Sequence, residues 1–186
     1  MRESVRNQLT GLSLFLSGAA LEFAASLTRL LAAAGSALFF ALAPGVVAGL
    51  LPWWLTGWRF EAFPLPLRLV GALLTFAAGL VLVSAFARFV MEGIGTPAPV
   101  APTQRLVVGG LYRYVRNPMY IAVVTAIVGQ ALLFGQLGLL AYAAVAGAVM
   151  WAFATFYEEP YLVERFGAEY QDYRRSVPGW WPRLRR

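Results

Sequence analysis

The 186-residue sequence contains no cysteine and no histidine. Disulfides, thiolate nucleophiles, the common zinc sites and imidazole acid–base catalysis are therefore excluded. Lysine is missing too, so all fifteen basic residues are arginine, against nine acids. Charged residues make up only 13% of the chain and hydrophobic ones 60%, more apolar surface than one soluble core of this size could hide. Any chemistry must run on Glu, Asp, Tyr, Asn, Arg and backbone groups, with no metal expected.

What fills the chain instead is a series of long uncharged runs. From Leu30 to Trp58 there is no charge, and residues 35–58 are long enough to cross a bilayer, with Pro44 and Pro52 predicting a kink and Trp53, Trp54 and Trp58 an interfacial belt. A second span is expected from about Leu67 to Met91, with Arg88 near its far end snorkelling toward headgroups. The uncharged run Asn117–Tyr157 is too long for one crossing and right for two joined at Gly135-Gln136-Leu137-Gly138. The expected fold is an all-α polytopic membrane bundle of four to five transmembrane helices. Residues 1–34 read as an amphipathic, in-plane N-terminal helix on the stripe Leu12, Phe15, Leu16, Ala19, Phe23, Leu27, Leu30. Residues 35–186 read as one membrane domain.

The net charge of +6 would suggest nucleic acid in a soluble protein. Here the arginines stand beside apolar runs, as orientation signals and headgroup contacts do, so the membrane is the expected partner and nucleic acid is not. With four spans, every arginine except Arg59 and Arg68 falls on one side. That asymmetry predicts an integral protein, of the kind found in a bacterial inner membrane, with both termini and its polar segments cytoplasmic. Arg2 and Arg6 resemble a charged leader start, but no small-residue cleavage site follows.

Three polar clusters gather on that side. Gly93-Ile94-Gly95-Thr96-Pro97 permits close backbone approach, or simply ends a helix. It follows no strand and lacks a third glycine, which sets aside a dinucleotide fold. Gly110-Leu111-Tyr112-Arg113-Tyr114-Val115-Arg116-Asn117-Pro118-Met119-Tyr120 brings arginines and tyrosines to the hairpin mouth, where Asn117 could serve as no more than a helix cap with Pro118 at the first helical position. Glu158-Glu159-Pro160 places two carboxylates at the expected end of the last span, where a helix dipole disfavours acid. Antiparallel pairing sets them beside Arg116, either as a clamp closing the hairpin or around a shared charged ligand. From Pro160 to Val177, Leu162, Phe166, Tyr170, Tyr173 and Val177 form one face of an amphipathic helix, a candidate cytosolic lid over residues 160–177.

Four ordered blocks, namely Gly93 to Pro97, Gly110 to Tyr120, Glu158-Glu159-Pro160, and Phe166 to Tyr173 with Val177-Pro178, give the sequence a resemblance to the isoprenylcysteine carboxyl methyltransferase and phospholipid methyltransferase group of small integral membrane enzymes. It covers roughly residues 35–182. The resemblance implies S-adenosylmethionine as methyl donor at the cytosolic ends of the last helices and a lipophilic acceptor arriving from the bilayer. It implies a donor pocket lined by Gly93, Gly95, Tyr112, Arg116, Asn117, Pro118, Tyr120, Glu158 and Glu159, closed by Tyr170 and Tyr173, with Arg116 and Glu159 the residues closest to the chemistry. The prenylcysteine branch typically carries His where this chain has Asn117, which weakens assignment to that branch while keeping a hydrogen-bonding group in place.

Methyl transfer from a sulfonium is an in-line displacement that mainly needs aligned reactants, which alone contributes roughly 7–11 kcal/mol. No histidine is required. A carboxylate acceptor is already ionised, whereas an amine needs a base, for which Glu158, Glu159 or a tyrosine would serve. Two other readings compete: a membrane sterol-type reductase using a nicotinamide nucleotide, which calls for a richer basic site, and a non-enzymatic scaffold in which the clusters only close the hairpin.

Overall fold

The computed structural model describes residues 22, 23, 26, 27, 34, 35, 38, 42–92 and 105–181. Most of the expected in-plane N-terminal helix, and Gly93 and Gly95, lie outside them. Among the described residues there is no strand, and the chain is all-α as its apolar runs require. Helix α1 spans Leu42–Thr56, α2 Leu65–Glu92, α3 Pro118–Phe134, α4 Gly138–Phe166 and α5 Ala168–Ser176. A single 3₁₀ turn, Gly110–Arg113, precedes α3. Within α2 and α4, Leu65–Arg88 and Gly138–Phe166 are long and apolar enough to cross a membrane, while α1 and α3 are shorter apolar helices.

The closest helix pair is α2 against α3, and its seam is made of small residues. Gly71 and Gly129 meet there: a Cβ on Gly71 would lie 2.6 Å from Gly129 O, and one on Gly129 would lie 2.5 Å from Thr75 Oγ1. Farther along, Ala78, Leu82, Ala122, Val123, Ala126 and Ile127 form the buried cluster, joined from α4 by Leu139, Ala143 and Ala146. The large apolar side chains of α2, including Leu69, Leu73, Phe76, Leu80 and Val83, point outward. Small residues inside with large ones outside is the pattern of helices whose surroundings are lipid, where association rests on close backbone packing.

Proline explains two irregularities. Pro52 has no N–H for the carbonyl of Ala48 and its ring crowds that oxygen; the helix responds with a π turn over Val46–Leu50, in which Leu51 N–H reaches back to Val46 O. The two carbonyls this leaves over are met from other helices, Ala48 O by Gln130 Nε2 at 2.6 Å and Val47 O by the Tyr142 hydroxyl at 2.8 Å. Pro160 produces the same response, a π turn over Ala154–Glu158 with Glu159 N–H donating to Ala154 O.

The backbone on either side of Pro160 corrects two expectations. The last apolar helix does not stop at Tyr157 but runs through Pro160 to Phe166, so Glu158 and Glu159 sit inside a helix and the dipole argument about its end does not apply to them. Nor is 160–177 one amphipathic helix: Gly167, at φ 53°, separates α4 from α5. Both are consequences of local backbone geometry, since a π turn absorbs the proline and a positive φ turns the chain. The turn between α3 and α4 follows the expected pattern, with Gly135 left-handed at φ 72° and α4 beginning at Gly138.

Candidate active site at the hairpin mouth

Four segments converge at one end of the bundle: the 3₁₀ turn, the start of α3, the second π turn of α4, and α5 with the chain that follows it. Pro118 is the first residue of α3, and Asn117 stands at the cap position without capping through its side chain. Its Nδ2 donates instead to Gly179 O at 3.2 Å, and its backbone N–H donates to the same oxygen at 3.2 Å, beside Arg116 N–H to Pro178 O at 2.9 Å. These bonds bring the Val177-Pro178-Gly179 strip back across the mouth. Trp180 continues the closure by stacking on Tyr120, with ring centroids 6.2 Å apart.

At the centre, Arg116 Nη1 lies 2.8 Å from Glu159 Oε1, with both side chains largely buried at 12% and 14% exposure. The same Nη1 donates to the Tyr170 hydroxyl at 2.9 Å. Arg174 Nη2 approaches the other Glu159 oxygen at 3.3 Å, so this carboxylate stands between two guanidinium groups. Buried Arg116 Nε has no hydrogen-bond partner among the described residues. Gly179 packs close beside it: a Cβ there would lie 3.1 Å from Arg116 Nη2.

Glu158 has different company. It accepts a hydrogen bond from the Tyr120 hydroxyl at 2.8 Å, and its charge also acts on Tyr112. Tyr112 is buried at 6% exposure against Ala85 and Val107, and its carbonyl accepts the Tyr173 hydroxyl at 2.6 Å. Burial raises the phenol pKa of Tyr112 well above its ordinary value, with Tyr173 and Glu158 adding to the effect. Tyr173 and Tyr170 are raised for the same first reason, each opposed by Arg116. All three phenols therefore stay neutral at ordinary pH rather than acting as bases.

Of the residues expected at the site, Tyr112, Arg116, Asn117, Pro118, Tyr120, Glu158, Glu159, Tyr170 and Tyr173 are thus brought to one mouth; Gly93 and Gly95 are not among the described residues. Sequence reasoning missed Arg174, Gly179 and Trp180 as members of the cluster. The Pro-Gly turn after α5 was the signal for the last two, because it marks where the chain reverses. No group of three or more metal-ligating side chains occurs among the described residues. The arrangement offers a compensated carboxylate and a second carboxylate faced by phenols.

Apolar helices long enough to cross a bilayer, with the polar groups gathered at one mouth, define an all-α polytopic membrane protein. Residues 67–169 match the family described as phospholipid methyltransferase, and the chain belongs to that family. It is 36% identical over 76 residues to a protein-S-isoprenylcysteine O-methyltransferase of Schizosaccharomyces pombe, covering 39% of this chain and 31% of that protein. A protein of the same name from Dictyostelium discoideum is 33% identical over 76 residues, 39% of this chain and 30% of its own length. The similarity therefore spans about a third of the length of these curated relatives.

Proposed function

We propose that the chain is an S-adenosylmethionine-dependent methyltransferase acting on a hydrophobic, membrane-partitioned acceptor, by carboxyl or amine methylation, with its site at the cytosolic face and both termini on that side. Family membership supports the reaction class. The observation that carries the donor assignment is the unequal treatment of the adjacent carboxylates: Glu159 is neutralised by Arg116 and Arg174, whereas Glu158 faces the phenols of Tyr120 and Tyr112. A carboxylate so placed suits a cationic ligand, and the unmatched Arg116 Nε suits an anionic group on it. A donor carrying an ammonium, a carboxylate and a sulfonium meets both demands.

When bound, the donor supplies an electrophilic methyl: the acceptor atom forms a bond to carbon as the carbon–sulfur bond breaks, and the electron pair stays on sulfur. The protein's own contribution is placement. Glu158 holds the cationic side of the donor, Arg116 the anionic side, and Glu159 fixes Arg116 as a positioning residue. Tyr170 and Tyr173 anchor α5 over the mouth and exclude water, which favours a step that cancels charge. With a carboxylate acceptor no proton moves. An amine must first lose one, and Glu158, the carboxylate not paired with an arginine among the described residues, is the candidate to take it. Asn117 is engaged with Gly179 O.

Calorimetric titration of the detergent-purified chain with S-adenosylmethionine and S-adenosylhomocysteine tests the assignment. Glu158→Gln keeps the shape and removes the charge; it should weaken S-adenosylmethionine at least about tenfold, the loss of one charge-assisted contact. It should weaken S-adenosylhomocysteine, which lacks the sulfonium, by less. A folded wild type that binds neither compound overturns the proposal.

A further inference from the structure

The chain that follows α5 ends its return across the mouth on an aromatic ring. Arg116 N–H donates to Pro178 O at 2.9 Å and Asn117 N–H to Gly179 O at 3.2 Å, with Asn117 Nδ2 on the same Gly179 oxygen. These bonds fix the backbone at the two residues just before Trp180, so its ring is delivered to one place. That place is the face of Tyr120: the two rings lie 19° from parallel with centroids 6.2 Å apart, within the range of offset stacking. The next residue, Trp181, points outward at 84% exposure. Tyr120 is the third residue of α3, and the helix fixes its Cα while leaving its side chain a choice of staggered rotamers. Two contacts remove that choice. Trp180 lies against the face of the ring, and at its end the hydroxyl donates to Glu158 Oε1 at 2.8 Å. A hydrogen bond weakens steeply as it bends, so whatever sets the ring also sets the carboxylate.

We propose that Trp180 is a positioning residue for Glu158: through the Tyr120 ring it holds this carboxylate in the orientation that prefers a donor bearing a cationic sulfonium over the neutral thioether left after transfer. The inference rests on the donor reading above and adds to it the residue that sets the preference. Trp180 need not touch the donor for this. A carboxylate released to swing still attracts a cation, but at no fixed distance, and the directed, charge-assisted contact is what is lost. A tryptophan that only covered the mouth, or that stacked on the donor's base, would instead act equally on S-adenosylmethionine and S-adenosylhomocysteine, which differ only in the methyl and its charge.

The test is calorimetric titration of the detergent-purified full chain with these two compounds. Trp180→Leu keeps an apolar cover and removes the ring; it should weaken S-adenosylmethionine about fivefold to tenfold while changing S-adenosylhomocysteine by less than about twofold. Tyr120→Phe should do the same, and the two together no more than either alone, because they act through one contact. Trp180→Phe restores a ring and should recover most of the wild-type preference, and Trp181→Ala should leave both affinities unchanged. Equal weakening of both compounds by folded Trp180→Leu, no weakening at all, or losses that multiply in the double variant overturn the role of Trp180 with the donor reading intact. An unchanged preference in Tyr120→Phe, which removes only the hydroxyl, overturns that role whether or not Trp180→Leu folds. A wild type that binds neither compound overturns the donor reading itself.

Discussion

At the scale of single residues, the mouth is held by phenols as much as by charges. Tyr112, Tyr170 and Tyr173 all have pKa values raised by burial. A phenol that ionises near pH 10 in the unfolded chain and higher in the folded protein contributes stability that is complete below about pH 10. That contribution fades as pH rises toward the folded values. Thermal unfolding followed against pH in detergent should therefore show a steep alkaline loss beginning near pH 10. Tyr173→Phe should make that loss shallower, and should also lower stability at neutral pH by about 1 kcal/mol, because it removes the 2.6 Å bond to Tyr112 O. An alkaline limb identical in the variant would show that Tyr173 is not buried against the turn.

The helices themselves are governed by two sequence features that oppose ordinary helix rules, glycine in the interior and proline in the middle. Gly71→Ala should destabilise by about 1–3 kcal/mol, the cost of forcing apart a packed contact, because its Cβ would meet the α3 backbone at Gly129 O. Alanine is the better helix former, so a neutral or stabilising result in a melting experiment would refute the seam. Gln130 bridges α1 and α3, donating to Ala48 O at 2.6 Å while accepting the Trp58 indole N–H at 3.1 Å. Gln130→Leu fills the same space but leaves the carbonyl exposed by the Pro52 π turn without its donor. A loss of about 1–3 kcal/mol is expected, and the double variant with Pro52→Ala should recover part of it by restoring a helical N–H in place of the proline.

For the whole molecule, the distribution of side-chain size decides which solvent the fold belongs in. Phe76 is 67% exposed on the outer face of α2, with Leu73 and Leu80 nearby at 66% and 58%, while Ala78 on the inner face is 2% exposed. Phe76→Arg places a charge at the lipid-facing middle of the helix, where insertion is opposed by roughly 2.5–3.5 kcal/mol. The variant should show a clear fall in membrane-fraction yield, whereas Glu164→Arg in the polar part of α4 should insert normally. Equal yields would mean that this face is covered by something other than lipid.

The all-α class, the α3–α4 hairpin at Gly135 and the presence of three polar clusters were legible in the sequence, because uncharged runs too long for one crossing, a glycine turn and scarce charges are local properties. Antiparallel pairing alone set Arg116 beside the Glu158-Glu159 pair, without deciding which carboxylate it meets. Tertiary structure decided the rest. That Glu158 faces phenols while Glu159 takes two arginines depends on how α4 is turned against α3 and α5, since adjacent residues of a helix point about 100° apart. That Arg174 and Trp180 join the mouth depends on Gly167 at φ 53°, which sets where α5 returns. Which glycines face a neighbouring helix is likewise settled only when the helices pack, since a small residue in an apolar run looks the same toward lipid as toward protein. Composition and local pattern determine solvent, helix and turn; the partner of each charge is fixed by how the chain turns between them.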